Sequence, residues 1–217
     1  MKTDDKLKQD IAAELKWDPS LHASEIGVEV KDGVVTLAGH VGSYSEKINA
    51  EHAAQRVKGV QALAVELEVT LSGDSRRDDA QIARAAKNVL DWVSILPLES
   101  VNVMVEDGWI TLSGFVEWHY QRLAAKAAVQ YLMGVKGVSN QISVKPRIST
   151  DAVKSDIEAA LQRSAQSDAQ NIRVDVDGSD VTLSGKVHSW SERNMARHSA
   201  WNSPGVRTVI DNIDVVI

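Results

Sequence analysis

The feature that most constrains this chain is internal repetition. It reads GVVTLAGHV around Gly39, GWITLSGFV around Gly114 and DVTLSGKV around Gly185. These anchor glycines are spaced 75 and 71 residues apart, and twenty residues after each comes a Gly-Val pair: Gly59-Val60, Gly134-Val135 and Gly205-Val206. The registers hold without gaps in both directions. Leu7, Ile11 and Leu15 match Ile82, Ala86 and Leu90, then Val153, Ile157 and Leu161, while Leu67 matches Ile142 and Ile213. A repeat of this period sets the architecture before any other reading is made. It divides the 217 residues into three units, at 1–70, 76–146 and 147–217. Units this small lie near the lower limit for a self-sufficient core, so neighbours are expected to pack together.

One unit is legible from its periodicities. Leu7, Ile11 and Leu15 recur every four residues, one apolar stripe of a helix. Acidic residues stand before each stripe (Asp4 and Asp5, Asp78 and Asp79, and Asp151 after Thr150), where they favour a helix N-terminus. Ile26, Val28 and Val30 alternate as a half-buried strand, Asp32-Gly33 makes a turn, and Val35, Leu37, Gly39 and Val41 alternate again. Ala50, Ala53, Ala54 and Val57 predict a second helix over about 45–58, and Leu63, Val65, Leu67 and Val69 a third strand. The fold class is α+β: three tandem αββαβ domains, each a three-stranded sheet with two helices on one face. The anchor glycine sits at a core-facing strand position, where it lets another backbone come close. The Ala-rich second helix is the expected neighbour, with contact to a ligand the alternative.

These residues resemble the BON domain of bacterial osmotically inducible (OsmY-type) and nodulation-related proteins. The pattern is V-x-V-x-(D/G)-x-V-T-L-S-G-x-V, then a helix carrying Glu46-Lys47, Gln121-Arg122 or Glu192-Arg193, then G-V-x-x-V and a closing strand. The resemblance implies an αββαβ sandwich without catalytic chemistry, in envelope- or stress-associated proteins. Some relatives bind anionic phospholipid, and some, fused to a LysM domain, bind potassium.

Composition narrows the chemistry. The chain has no cysteine, which removes disulfides, thiolate metal sites and a cysteine nucleophile. The six histidines lack helical metal-ligand spacing and read as solvated side chains. Ser113-Gly114 and Ser184-Gly185 recur, but Ala38 replaces the serine in unit one, against a catalytic serine. No phosphate-loop motif occurs. No metal, no cofactor and no enzymatic activity is expected. The net charge of −6 divides as −4, +1 and −2 over the units, with Asp74 in the linker. No unit has the basic face of a nucleic-acid binder. No segment is apolar for long enough to span a membrane, and the charged N-terminus has no signal-peptide core. With Met1 as the start, a cytoplasmic protein is expected, peripheral to membranes; a removed leader would make it periplasmic.

Unit two differs from its sisters after its first helix. It reads Trp92-Val93-Ser94-Ile95-Leu96-Pro97-Leu98 where unit one has Trp17-Asp18-Pro19-Ser20-Leu21-His22-Ala23 and unit three has 163–169, RSAQSDA. An apolar loop flanked by Arg84 and Lys87 can wedge into an anionic bilayer surface. The lipid-binding candidates are therefore Trp92, Ile95, Leu96, Arg84 and Lys87. The alternative is that the loop packs on its own core or on a neighbour. Trp109, Trp118 and Tyr120 are interface candidates, or cover a sheet face that the helices leave bare. The expected function is peripheral phospholipid binding in a non-enzymatic stress or osmotic-response protein. Its rivals are a protein-interaction or chaperone-like scaffold and a potassium sensor. Gly39, Gly114, Gly185, Gly59, Gly134 and Gly205 are expected to be structural anchors.

Overall fold

The computed structural model describes residues 2–145, 154–163 and 171–216. Unit one runs α1 (Asp4–Trp17), β1 (Ile26–Lys31), β2 (Val34–Val41), α2 (Tyr44–Arg56) and β3 (Ala62–Val69). Unit two runs α3 (Asp79–Asp91), β4 (Val101–Glu106), β5 (Trp109–Val116), α4 (His119–Val129), β6 (Gly137–Asn140) and β7 (Ser143–Val144). Unit three runs α5 (Lys154–Arg163), β8 (Ile172–Asp177), β9 (Asp180–Val187), α6 (Trp190–Trp201) and β10 (Thr208–Val215). Each unit keeps its own sheet. The hairpin partner is antiparallel to the central strand, and the strand after the second helix is parallel to it. The αββαβ order read from the periodicities is thus the order found. In unit two the closing strand is broken between β6 and β7, where the Asn140 side chain accepts from the Ile142 N–H at 3.2 Å and donates to the Arg122 carbonyl at 2.8 Å.

The helix stripes and central strands form the cores. Leu7, Ile11 and Leu15, with Ile82, Ala86, Leu90, Ile157 and Leu161, are buried, as are Val35, Leu37, Ile110, Leu112, Val181 and Leu183. Thr150, Asp151 and Val153, and all but the first residue of the 163–169 loop, lie outside the described residues. At the other two helix starts the acidic residues do more than cap. Thr3 and Asp78 are the caps proper. Asp4 instead accepts the turn N–H groups of Asp32 and Gly33 at 2.8 and 3.1 Å, and Asp79 accepts those of Asp107 and Gly108 at 2.9 Å each. In units one and two a carboxylate on the first helix therefore holds the hairpin turn shut, and charge-assisted bonds of this kind are the strong ones.

The anchor glycines correct the sequence-based expectation in one respect. What approaches them is not the second helix. A Cβ on Gly39, Gly114 or Gly185 would run into the carbonyl oxygen of Glu25, Ser100 or Asn171, at the entry to the unit's first strand. Each glycine also has a φ near +125°, at 128°, 122° and 130°, a backbone shape that side chains disfavour. The second set, Gly59, Gly134 and Gly205, turns the chain between second helix and last strand with φ of 112°, 88° and 84°. There Gly134 lies against Arg77 and Ile82, and Gly59 against Leu7.

The three units close into a ring through one repeated position. The first residues of the second helices are Tyr44, His119 and Trp190, which are equivalent in the repeat although they are three different residue types. Tyr44 reaches unit two, where its hydroxyl meets the backbone of Val138. His119 reaches unit three and stacks on Trp201, centroids 4.1 Å apart and planes at 7°. Trp190 reaches back to unit one and donates to the Val60 carbonyl at 3.1 Å. Each contact joins the start of one second helix to the C-terminal part of another unit: Val138 in the last strand β6, Trp201 at the end of the second helix α6, and Val60 between α2 and β3. Contacts of this head-to-tail kind form rings when their rotation closes. The expectation of six solvated histidines fails here, because His119 is only 8% exposed. Its Nδ1 has no hydrogen-bond partner among the described residues.

Two predictions follow from these contacts. Gly114→Ala must move the Ser100 carbonyl and accept a strained φ, so it should cost at least ~2 kcal/mol, comparable to the roughly 2–5 kcal/mol of Leu112→Ala; urea unfolding of both variants checks this. His119 has its pKa lowered to about 4 by burial first and then by the charges of Arg122, Arg197 and His198. The unfolded imidazole takes a proton near its ordinary pH of about 6.5, before the folded one does. Stability should therefore be full above that pH and fall by up to about 3 kcal/mol towards pH 4. His119→Phe keeps a stacking ring and should flatten that acid limb in melting curves taken at pH 7 and pH 4.5.

A candidate interaction surface on unit two

The loop after α3 is built from two tight turns. The Leu96 N–H donates to the Val93 carbonyl at 2.9 Å, and the Ser100 hydroxyl to the Pro97 carbonyl at 2.6 Å. A side chain at the start of α4 then fixes the loop from behind. Gln121 is buried; its Oε1 accepts the N–H groups of Glu117 and Trp118 at 3.0 Å each, and its Nε2 donates to the Ile95 carbonyl at 2.8 Å. In unit one Glu46 stands at this position and accepts from the His22 N–H and the Gly42 N–H, at 2.7 Å each. Burial would raise the Glu46 pKa, but these donors and the His22 ring hold it below the usual carboxylate value. The residue equivalent to His22 is Pro97, which has no N–H to give. A carboxylate at 121 would lose that donor, whereas the amide supplies its own and binds the loop by a carbonyl instead.

With its backbone pinned, the loop presents its tip. Trp92 is 87% exposed, Leu98 85% and Ile95 44%. Leu96 turns the other way and is partly buried against the core, so it contributes less to the apolar tip than expected of it. Leu98 is the tip residue that the candidate set lacked. Its place among four large apolar side chains was visible, but which of them turn outward depends on the two turns. Trp17, equivalent to Trp92, is 84% exposed on unit one.

Arg84 and Lys87 lie exposed on α3 beside the loop. They line a cleft of about 740 Å³ together with Asp91, Glu99 and Val101. Lys87 already pairs with Asp91 at 3.2 Å, so two cations face two carboxylates and the flank is charge-balanced.

The outer sheet face of unit two adds a second apolar area. Met104, Trp109 and Phe115 are exposed on β4 and β5, and Trp118 and Tyr120 lie partly exposed where α4 begins. The Trp109 ring lies across β6 on Gly137, where any Cβ would overlap it; units one and three have Ala62 and Thr208 there and no tryptophan opposite. Of the large apolar side chains exposed on the described residues, most sit on this unit. No described helix is long and apolar enough to cross a membrane.

Comparison with known proteins agrees with this architecture. The BON domain family model matches residues 3–73, 78–146 and 149–217. The osmotically-inducible protein Y of Escherichia coli K12 is 27% identical over 146 residues, covering 65% of this chain and 73% of that protein. Among solved structures, CdsD, a structural protein of the type III secretion system of Chlamydia trachomatis, aligns over 97% of this chain and 92% of its own at 15% identity, with a TM-score of 0.25. The PrgH periplasmic domain aligns over 89% and 96% at 13% identity, with a TM-score of 0.22. Scores this low carry no argument about arrangement or function. Three family matches, each on a separate αββαβ sheet and together spanning nearly the whole sequence, establish that this chain belongs to the BON-domain family, as a three-domain member of the OsmY type.

Proposed function

We propose that the protein is a non-enzymatic stress-response module that docks on phospholipid surfaces through the 92–98 loop of unit two. The observation that carries this reading is the pairing of a pinned backbone with an exposed apolar tip. Trp92, Ile95 and Leu98 project from a loop whose carbonyls are held by Gln121 and Ser100. An ordered loop loses little conformational entropy on docking. Each Leu or Ile side chain buried at the surface contributes about 1.5–3 kcal/mol. Trp17 occupies the corresponding place on unit one and is likewise exposed. The link to osmotic stress rests on the likeness to the osmotically-inducible protein.

Flotation with phosphatidylcholine vesicles, with and without phosphatidylglycerol, tests the reading. The parent protein should float, and Ile95→Ser/Leu98→Ser should lose at least tenfold in affinity with its folding intact. Leu96 is left alone because it packs against the core. Since Arg84 and Lys87 are balanced by Asp91 and Glu99, raising NaCl from about 0.1 M, where the screening length is ~10 Å, should change little. Equal flotation of the double variant, or none by the parent, would replace membrane docking by a protein partner on the Met104, Trp109 and Phe115 face.

A further inference from the structure

The junction between units two and three contains a cleft of about 500 Å³ whose walls carry four cations: Arg122, Lys145, Arg197 and Arg207. No carboxylate is among the described residues lining it, on a chain whose net charge is −6. Like charges are gathered in one concave place where the rest of the surface would disperse them. We propose that this cleft binds a phosphate-bearing anion.

The contacts of the four cations favour such a ligand. Arg122 sits over the Trp201 ring at 5.1 Å, and the Lys145 ammonium over the Phe115 ring at 3.6 Å. Aromatic platforms hold a cation in position while leaving its N–H donors free. Neither Arg122 nor Lys145 has a carboxylate partner among the ion pairs of the described residues. Arg207 is met by Asp180 at 3.3 Å, and Arg197 by Asp211 at 3.3 Å, but Asp211 is shared with Arg193 at 2.9 Å. Positive charge therefore remains in excess. Arg122 registers it: burial first, and then the charge of Arg197, lower its pKa. An anion between these guanidinium groups would cancel the repulsion and offset the cost of burial, and planar guanidinium forks match phosphate oxygens in pairs. Ser143 and Thr208, with Ile142 and Val144, complete the lining. The volume suits a ligand with an organic body, within the usual range for small-molecule sites. The inference is independent of the 92–98 loop and stands or falls without it.

Two sources share this chemistry: a soluble organic phosphate and a lipid headgroup. Calorimetry and thermal melting of the full chain with pyrophosphate and with glycerol 3-phosphate test the site itself. The expected result is saturable binding and a melting temperature that rises with ligand concentration. Arg122→Gln/Arg207→Gln should weaken binding at least tenfold. Because Arg122 also stacks at the unit junction, Lys145→Gln/Arg207→Gln serves as a second variant, with both side chains exposed. Lys8→Gln, on α1 of unit one, removes a charge elsewhere and should bind as the parent does. Absence of binding by the parent up to about 10 mM, weaker than any specific site of this size requires, or equal binding by both cleft variants, overturns the proposal. Flotation then identifies the source. If Lys145→Gln/Arg207→Gln or added glycerol 3-phosphate also releases the protein from phosphatidylglycerol vesicles, the occupant is a headgroup. If flotation is unchanged while calorimetric binding is lost, the occupant is a soluble phosphate compound. Both results uphold the site.

Discussion

The constraint on which each unit depends is a carbonyl that occupies the space of a missing side chain. Ser100 enters the first strand of unit two with its oxygen pressed against Gly114 while accepting the Phe115 N–H at 3.1 Å. The hairpin's far end is closed by a carboxylate from the first helix, Asp79 on the turn at Asp107 and Gly108. Between these two points the pairing register has no freedom to slip, and a slip of one residue would turn every core side chain outward. Leu112 and Ile110 face the helices because both ends of the hairpin are fixed.

Most of this was legible in the sequence, for a physical reason. Helix stripes and strand alternation report which face of an element meets the core, and the core is local to each unit. Leu7, Val35 and Leu183 were therefore readable from spacing alone. The identity of the neighbour that forces glycine at 39, 114 and 185 was not, since glycine records only that something is close. The ring was hidden for a different cause. Tyr44, His119 and Trp190 share a position but no chemistry, and each solves a different contact: a hydroxyl to a backbone, a stack, an indole to a carbonyl. Register alignment places them in one column; only the fold shows that the column is an interface.

The candidate surfaces divide along the same line. The apolar character of the 92–98 loop was plain, and so was the peculiarity of unit two. Direction was not. Leu96 and Leu98 are two residues apart in a loop with no period, and the turns at Val93 and Pro97 decide which one packs against the core. The basic cleft between units two and three was equally invisible, since Arg122 and Lys145 come from one unit, Arg197 and Arg207 from the next, and the four share no motif.

Ring closure also limits growth. A head-to-tail series of like units that stayed open would leave a donor helix start at one end and an acceptor surface at the other. Each molecule could then recruit the next, and the product would be a filament of indefinite length. Trp190 on Val60 joins the last unit to the first and occupies both ends at once. The adhesive surfaces of the first and third units are thus spent on each other within one chain, and the contact that holds the three units together is also the one that leaves neither surface open to a second molecule.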